Sequence, residues 1–344
     1  VRRLLALVAA MLATATMVMG CGRSGVGAPR AVVIVSGGDA TSPFTTPDQA
    51  CATGLAAGNT DTAIREYLLK QGYKVFTSPA MAGRGQVVDQ SGFGPFGVCP
   101  ITLPDNMTVN STGSIDTAGE HLARFLAYLH TDEGIDDVDL VGHSMGGLYS
   151  RAALRVLTTT SSPVHIRSLT TIGTPWQGSH LSDYANDITP LTDCAGDPFC
   201  ENAMKNFKSE VLRLMSGSGR EVNQAYLMGR DGWNQAQAGV LDKVPVVLIG
   251  GEKFTRAGQV NPTVWPNDGI VPLRSALAVD LADAVLPHRH CYTFDDTHSI
   301  YVSNEAGLDW KTALTWDPQV FDVLHTALED APKALAGANR QGCP

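Results

Sequence analysis

No two cysteines in this chain stand two residues apart, so the Cys-x2-Cys pairs of structural zinc sites are missing. Basic residues are scarce: 25 Lys and Arg face 34 Asp and Glu, a net charge of −9. That balance excludes nucleic acid or an anionic lipid surface as an electrostatic partner. The uncharged apolar run at 4–19 is too short for a transmembrane anchor. No internal repeat is present. What remains is an ordinary globular composition, 44% hydrophobic, that can build a large core.

The first twenty residues read as a leader and not as part of the fold. Arg2 and Arg3 form a positive start, an apolar segment follows, and Val18-Met19-Gly20-Cys21 places a small residue before a cysteine. This resembles a bacterial lipoprotein signal, in which cleavage before Cys21 leaves that cysteine to carry the lipid. An ordinary secretory signal with Cys21 incidental is the alternative. Removing the leader would leave 324 residues with 23 basic and 34 acidic side chains, a net charge of −11. Residues 21–30 are small and Gly/Pro-rich, as expected of a flexible tether between the cell envelope and a domain at 31–344.

Six other cysteines remain: Cys51, Cys99, Cys194, Cys200, Cys291 and Cys343. An even number in an exported chain suggests three disulfides. Cys194–Cys200 would close a short loop, leaving Cys51–Cys99 and Cys291–Cys343 by elimination.

Short apolar runs at 31–35, 73–76, 138–141, 166–172, 244–249 and 291–294 read as strands buried on both sides. Helical spacing separates several of them, at 61–71, after the capping box Thr117-Ala118-Gly119-Glu120, and from Gly147 onward. Strands alternating with helices predict an α/β domain, a mostly parallel sheet covered on both faces. Two insertions interrupt it. Residues 78–114 are rich in Gly, Pro and Asn, have no helical period, and carry Phe93, Phe96, Ile101, Leu103 and Met107. Residues 179–243 contain Met204, Phe207, Val211, Leu214 and Met215 on one helix face, opposite Lys205, Lys208 and Arg213. That amphipathic helix suits a cap or lid, or a plain surface helix packed on the sheet.

The chemistry begins at Gly142-His143-Ser144-Met145-Gly146, directly after the strand at 138–141. A Gly-x-Ser-x-Gly turn between strand and helix lifts one serine hydroxyl out of the backbone. A serine needs a base to take its proton, and that base is usually a histidine oriented by a carboxylate. Asp268 is the acid candidate, in Trp265-Pro266-Asn267-Asp268-Gly269, a tight turn beyond a strand. Glu252 and Asp280 are weaker candidates. His298 is the base candidate, in the polar loop Asp295-Asp296-Thr297-His298-Ser299 after the last strand. His288 and His290 precede that strand and would lie at the far edge. His325 falls inside a helical pattern, and His143 reads as structural. An oxyanion needs preorganised N–H donors. The Met145 amide opens the helix after the elbow, and Gly38, with Asp39 second, lies in Ser36-Gly37-Gly38-Asp39 after the first strand.

Together with Thr171-Ile172-Gly173-Thr174-Pro175-Trp176-Gln177-Gly178-Ser179 and Asn267-Asp268-Gly269-Ile270-Val271, these stretches make the chain similar to the bacterial lipase and esterase branch of the α/β-hydrolase superfamily. The resemblance covers most of 31–330. It implies Ser144 as nucleophile, Asp268 as acid and His298 as base. The family usually carries His-Gly where this chain has Ser36-Gly37. Some relatives bind a structural calcium near the histidine loop; no ligand set is assignable here, and neither metal nor cofactor is expected. The expectation is thus an exported, lipid-anchored, monomeric ester hydrolase of the cell envelope with a lipid or acyl-ester substrate. An acyltransferase using the same three residues and a catalytically silent surface-binding lipoprotein are the alternatives.

Overall fold

In the computed structural model, which describes residues 30–51, 59–87, 101–258, 260–334 and 340–344, seven strands form one sheet. They are β1 (Arg30–Val35), β2 (Val75–Thr77), β3 (Asp137–His143), β4 (His165–Ile172), β5 (Val246–Gly251), β6 (Arg289–Phe294) and β7 (Arg340–Gln341). Their spatial order is β2-β1-β3-β4-β5-β6-β7, and every pair is parallel. The chain steps outward from β1 to β2, crosses back to β3, and then moves in one direction. The strand order therefore reverses between β1 and β3. In open α/β sheets a crevice opens beyond the strand C-termini at such a switch point.

Alternating side chains of β1 feed two cores. Ala31, Val33 and Val35 pack with α2 (Ile115–Glu133) and α3 (Gly146–Thr159) on one face. Val32 and Ile34 pack with α1 (Thr62–Lys70) and the helix Pro318–Ala334 on the other. Both faces are dry, which is why the strands read as continuous apolar runs rather than alternating ones. The chain thus has the α/β-hydrolase type of fold, with helices on both faces of its sheet.

Several expectations shift. Helix α2 is capped by Ser114, whose side chain accepts from the Thr117 amide, so Thr117 is the residue capped and not the cap. Arg30, assigned to the tether, is the first residue of β1. The leader, Cys21 and the tether through residue 29 lie outside the described residues, as do Phe93, Phe96 and Cys99. Within 78–114, Ala80–Met81 and Val109–Asn110 pair as a short parallel ribbon. Leu103 is buried in the core beside α2 and Met107 packs against it, while Ile101 is exposed.

The second insertion carries α4 (His180–Ala185) and α5 (Pro198–Leu214). Asp197 caps α5 by accepting from the Cys200 amide, and Pro198 fills the first turn. Its apolar face does not lie on the sheet. Met204 joins Leu181, Val264, Trp265 and the Cys194–Cys200 disulfide in a small core of their own. Lys205 and Lys208 point outward to Glu201 and Asp187. Cys291–Cys343 ties β6 to the C-terminal segment, and Cys51 is also held in a disulfide.

Candidate active site

Residue 144 follows β3 at the switch point. Its φ is +54°, a left-handed conformation that is uncommon for a non-glycine residue. The turn is held by the Ser144 amide donating to the Ile172 carbonyl at 2.8 Å and by Thr174 Oγ1 donating to the Ser144 carbonyl at 2.7 Å. A Cβ on Gly146 would lie 2.0 Å from the Val35 carbonyl oxygen, so only glycine lets α3 begin this close to β1. The pattern around the serine therefore answers to a packing demand between elements that are distant in sequence.

Asp268 and His298 come from loops beyond β5 and β6, thirty residues apart. Asp268 is fully buried. Its Oδ1 accepts from the amides of Ile270 at 2.9 Å and Val271 at 2.7 Å, and its Oδ2 accepts from His298 Nδ1–H at 2.7 Å. The backbone adds a further link, His298 N–H to the Asp268 carbonyl at 2.8 Å. With Nδ1 committed to the carboxylate, the His298 Nε2 is left to accept a proton. Gly173, at φ +59°, lies under this pair; a Cβ there would meet His298 Nδ1 at 2.9 Å and Asp268 Oδ2 at 3.2 Å. This explains the glycine of the Gly173-Thr174-Pro175 loop.

Ser144 and His298 line one cavity of about 570 Å3, together with Gly37, Gly38, Asp39, Thr41, Thr60, Arg213, Ser299 and Tyr301. Ser144 also borders a second cavity, of about 300 Å3 and more apolar, beside Met145. Phe207, Val211 and Leu214 of α5 line it, joined by Leu181, Phe199 and Val302. The cap helix thus covers the serine with the face expected to do so, except that Met204 turns into the cap core and Met215 is 71% exposed. Among the described residues of the first insertion, Thr112 reaches this cavity, whereas Leu103 and Met107 do not.

Met145 precedes α3, and its amide has no protein acceptor among the described residues; the same holds for Gly38. Both residues line the serine's cavities. Asp39, the second candidate, is corrected: its N–H is already given to the Ser111 carbonyl at 3.2 Å. Its φ is +54°, and burial raises its pKa, with the Glu210 charge adding to the rise and the Arg213 charge opposing it.

The remaining candidates lie elsewhere. Asp280 is paired with Arg274 and Gln177. His288 and His290 stand at the N-terminal end of β6, and His325 bonds Tyr73 on the helix Pro318–Ala334. His143 is buried against the His298 ring, centroids 4.9 Å apart, and burial lowers its pKa to about 3, so it is neutral. Asp61, which the sequence marks only as the start of a helix, is fully buried beside it. Nothing local to residue 61 announces that position.

The chain is similar to several known proteins. Residues 120–213 match the model of the PGAP1-like alpha/beta domain. A triacylglycerol lipase of Pseudarthrobacter phenanthrenivorans is 39% identical over 171 residues, 47% of this chain and 51% of that protein. A triacylglycerol lipase of Burkholderia plantarii is 39% identical over 171 residues, 47% of this chain and 45% of its own length. The chain therefore spans about half the length of the curated relatives it matches. The mature form of Bacillus licheniformis lipase BlEst2 aligns with a TM-score of 0.48 and 16% identity, covering 88% of this chain and 92% of that one.

Proposed function

We propose that the chain is a serine hydrolase of the lipase and esterase branch of the α/β-hydrolase superfamily, cleaving lipid or other acyl esters through an acyl-enzyme; its 39% identity to triacylglycerol lipases over about half their length supports that reading. One observation carries the assignment of residues: His298, held by Asp268 at 2.7 Å, lines the same cavity as Ser144.

Ser144 Oγ attacks the ester carbonyl carbon while His298 Nε2 takes its proton. Asp268 holds the Nδ1–H tautomer and stabilises the imidazolium that forms. The carbonyl oxygen becomes an oxyanion facing the Met145 and Gly38 amides, with the N-terminus of α3 behind Met145. Collapse breaks the bond to the alcohol oxygen, and His298 returns the proton to the departing alcohol. Water, activated by the same imidazole, then releases the acid and restores Ser144.

The two cavities divide this substrate. His298 must protonate the leaving alcohol, so the alcohol occupies the polar cavity that His298 lines. The acyl chain then takes the apolar cavity under α5, beside the oxyanion donors. A hydrophobic acid esterified to a hydroxyl-rich alcohol fits both sides. A lipid on Cys21 would hold this site at the outer face of the membrane, within reach of such esters, with the protein acting as a monomer. Replacing Cys21 with alanine should release the protein from the envelope.

The test is direct. A fluorophosphonate probe should label Ser144 in the folded protein, and hydrolysis across a panel of acyl esters should vanish in Ser144→Ala. An unlabelled, inactive wild type with an intact fold would refute the enzyme reading and favour a binding role.

A further inference from the structure

Beneath the triad lies a second buried pair that the mechanism above does not use. Asp61 stands at the N-cap position of α1, where a carboxylate ordinarily accepts from the first helical amides. Here it makes no capping bond. Its side chain turns inward instead. Oδ2 accepts from Ser36 Oγ at 2.5 Å, and Ser36 in turn contacts Ser42 Oγ at 2.7 Å. Oδ1 receives Thr60 Oγ1 at 3.3 Å and faces His143 Nδ1 at 3.5 Å. On its other side His143 Nε2 donates to the His298 backbone carbonyl at 3.1 Å. One line of contacts therefore runs from the loop carrying Gly38, through Asp61 and the residue before the nucleophile, to the loop carrying the base.

The tautomer of His143 follows from this geometry. A carbonyl oxygen only accepts, so Nε2 must carry the hydrogen and Nδ1 must present a lone pair. That lone pair has no hydrogen-bond partner among the described residues, and the group facing it is Asp61 Oδ1. An ionised carboxylate would set two acceptors against each other in a dry site. A protonated one would donate across the gap and hold the tautomer.

We propose that Asp61 is a positioning residue that acts as a neutral acid, donating to His143 Nδ1 and thereby fixing the His143–His298 bond that orients the catalytic loop. Burial favours the neutral form, raising Asp61 to about 7 against the opposing bonds of Ser36 and Thr60 and the His298 charge. The titratable groups facing Asp61 are His143 on β3 and, beyond it, His298. As pH rises through this range Asp61 ionises, the Nε2–H tautomer of His143 loses its support, and the grip on the His298 loop weakens. The protein thus carries an internal brake on alkaline activity, separate from the titration of the triad.

This inference rests on the proposed hydrolase chemistry for its kinetic arm alone. Asp61→Ala should lower kcat about tenfold, the worth of one buried hydrogen bond, with KM within about twofold. Asp61→Asn keeps an N–H for His143 and an oxygen for Ser36, so it should restore most of that loss and remove the fall in kcat between pH 7 and 8.5. Superimposable pH profiles of wild type and Asp61→Asn would overturn the proposal. The second arm needs no activity: nitrogen-15 spectra of the His143 ring should show the Nε2–H tautomer at pH 6 and a change through pH 7 that Asp61→Asn abolishes. An Nδ1–H tautomer at pH 6, or no change up to pH 8.5, would overturn it even if the enzyme is an esterase. The expected spectra in a protein without esterase activity would instead fault the hydrolase reading and leave the buried pair standing.

Discussion

Replacing Asp268 with asparagine separates the two tasks of that carboxylate. Its oxygens serve opposite partners: Oδ1 accepts from two backbone amides, at 2.9 and 2.7 Å, and Oδ2 accepts from His298 Nδ1–H at 2.7 Å. An asparagine can supply only one acceptor. With its oxygen toward Ile270 and Val271, two bonds survive and the NH2 faces His298. With the orientation reversed, the NH2 confronts two backbone donors at a fully buried position, leaving each unsatisfied at a cost of about 1–3 kcal/mol. The first orientation wins. It presents a donor to His298 Nδ1, so the ring must accept there and carry its hydrogen on Nε2, the tautomer that cannot take the serine proton. The expected loss in kcat is about a thousand- to ten-thousand-fold, as for the equivalent tautomer error in other triads. KM should stay within a few fold, because no cavity wall changes. Melting temperature should move little, since the loop bonds persist. Steady-state hydrolysis of a p-nitrophenyl ester from pH 6 to 9, with a melting curve for each variant, reads all three. An Asp268→Asn protein retaining more than a tenth of wild-type kcat would refute the assignment of Asp268, whatever its fold.

Other outcomes follow from the same geometry. Ala203 lines the apolar cavity under α5; Ala203→Phe should cut the ratio of octanoyl to butanoyl ester hydrolysis about tenfold, the worth of one or two excluded methylenes, and an unchanged ratio would place the acyl chain elsewhere. Asp296 is buried beside Asp317, and burial together with the neighbouring Asp317 charge raises its pKa well above the carboxylate range, to about 8. The native state then keeps a proton that the unfolded chain has lost, so stability falls as pH rises from about 4 toward 8. Asp296→Asn should flatten that slope in urea titrations at pH 5 and pH 8; parallel curves would contradict it. Removing Cys194–Cys200 by a double serine substitution opens a short loop and should cost about 2 kcal/mol by loop entropy. Hydrogen exchange should show that loss in α5 before the central sheet, and a uniform loss would mean that the cap does not unfold separately.

The strands were legible because their causes are local. A run such as Val32-Val33-Ile34-Val35 can hardly be anything but a strand buried on both faces, and its two cores take alternate residues as the pleat requires. Asp268 and His298 meet for a reason of topology: in a parallel sheet every strand ends at the same edge, so loops following different strands come together there. The cap helix α5 showed its lining face in its period, yet Met204 and Met215 departed from it, one drawn into the disulfide-linked cap core and the other past the helix end at φ +50°.

Residue spacing therefore sufficed for element type, which depends on neighbours a few positions away, and for the elbow, whose glycines carry the mark of a close approach between remote elements. Contacts between remote segments decided the rest. Asp39 lost its amide to Ser111, which follows a ribbon strand no pattern announced. Asp61 makes no cap for α1 and turns instead to Ser36, just after β1, and toward His143, the last residue of β3. Burial and hydrogen-bond direction at such meeting points exist only once the chain has closed on itself, and they set which groups are charged, which amides are open and which tautomer each imidazole holds.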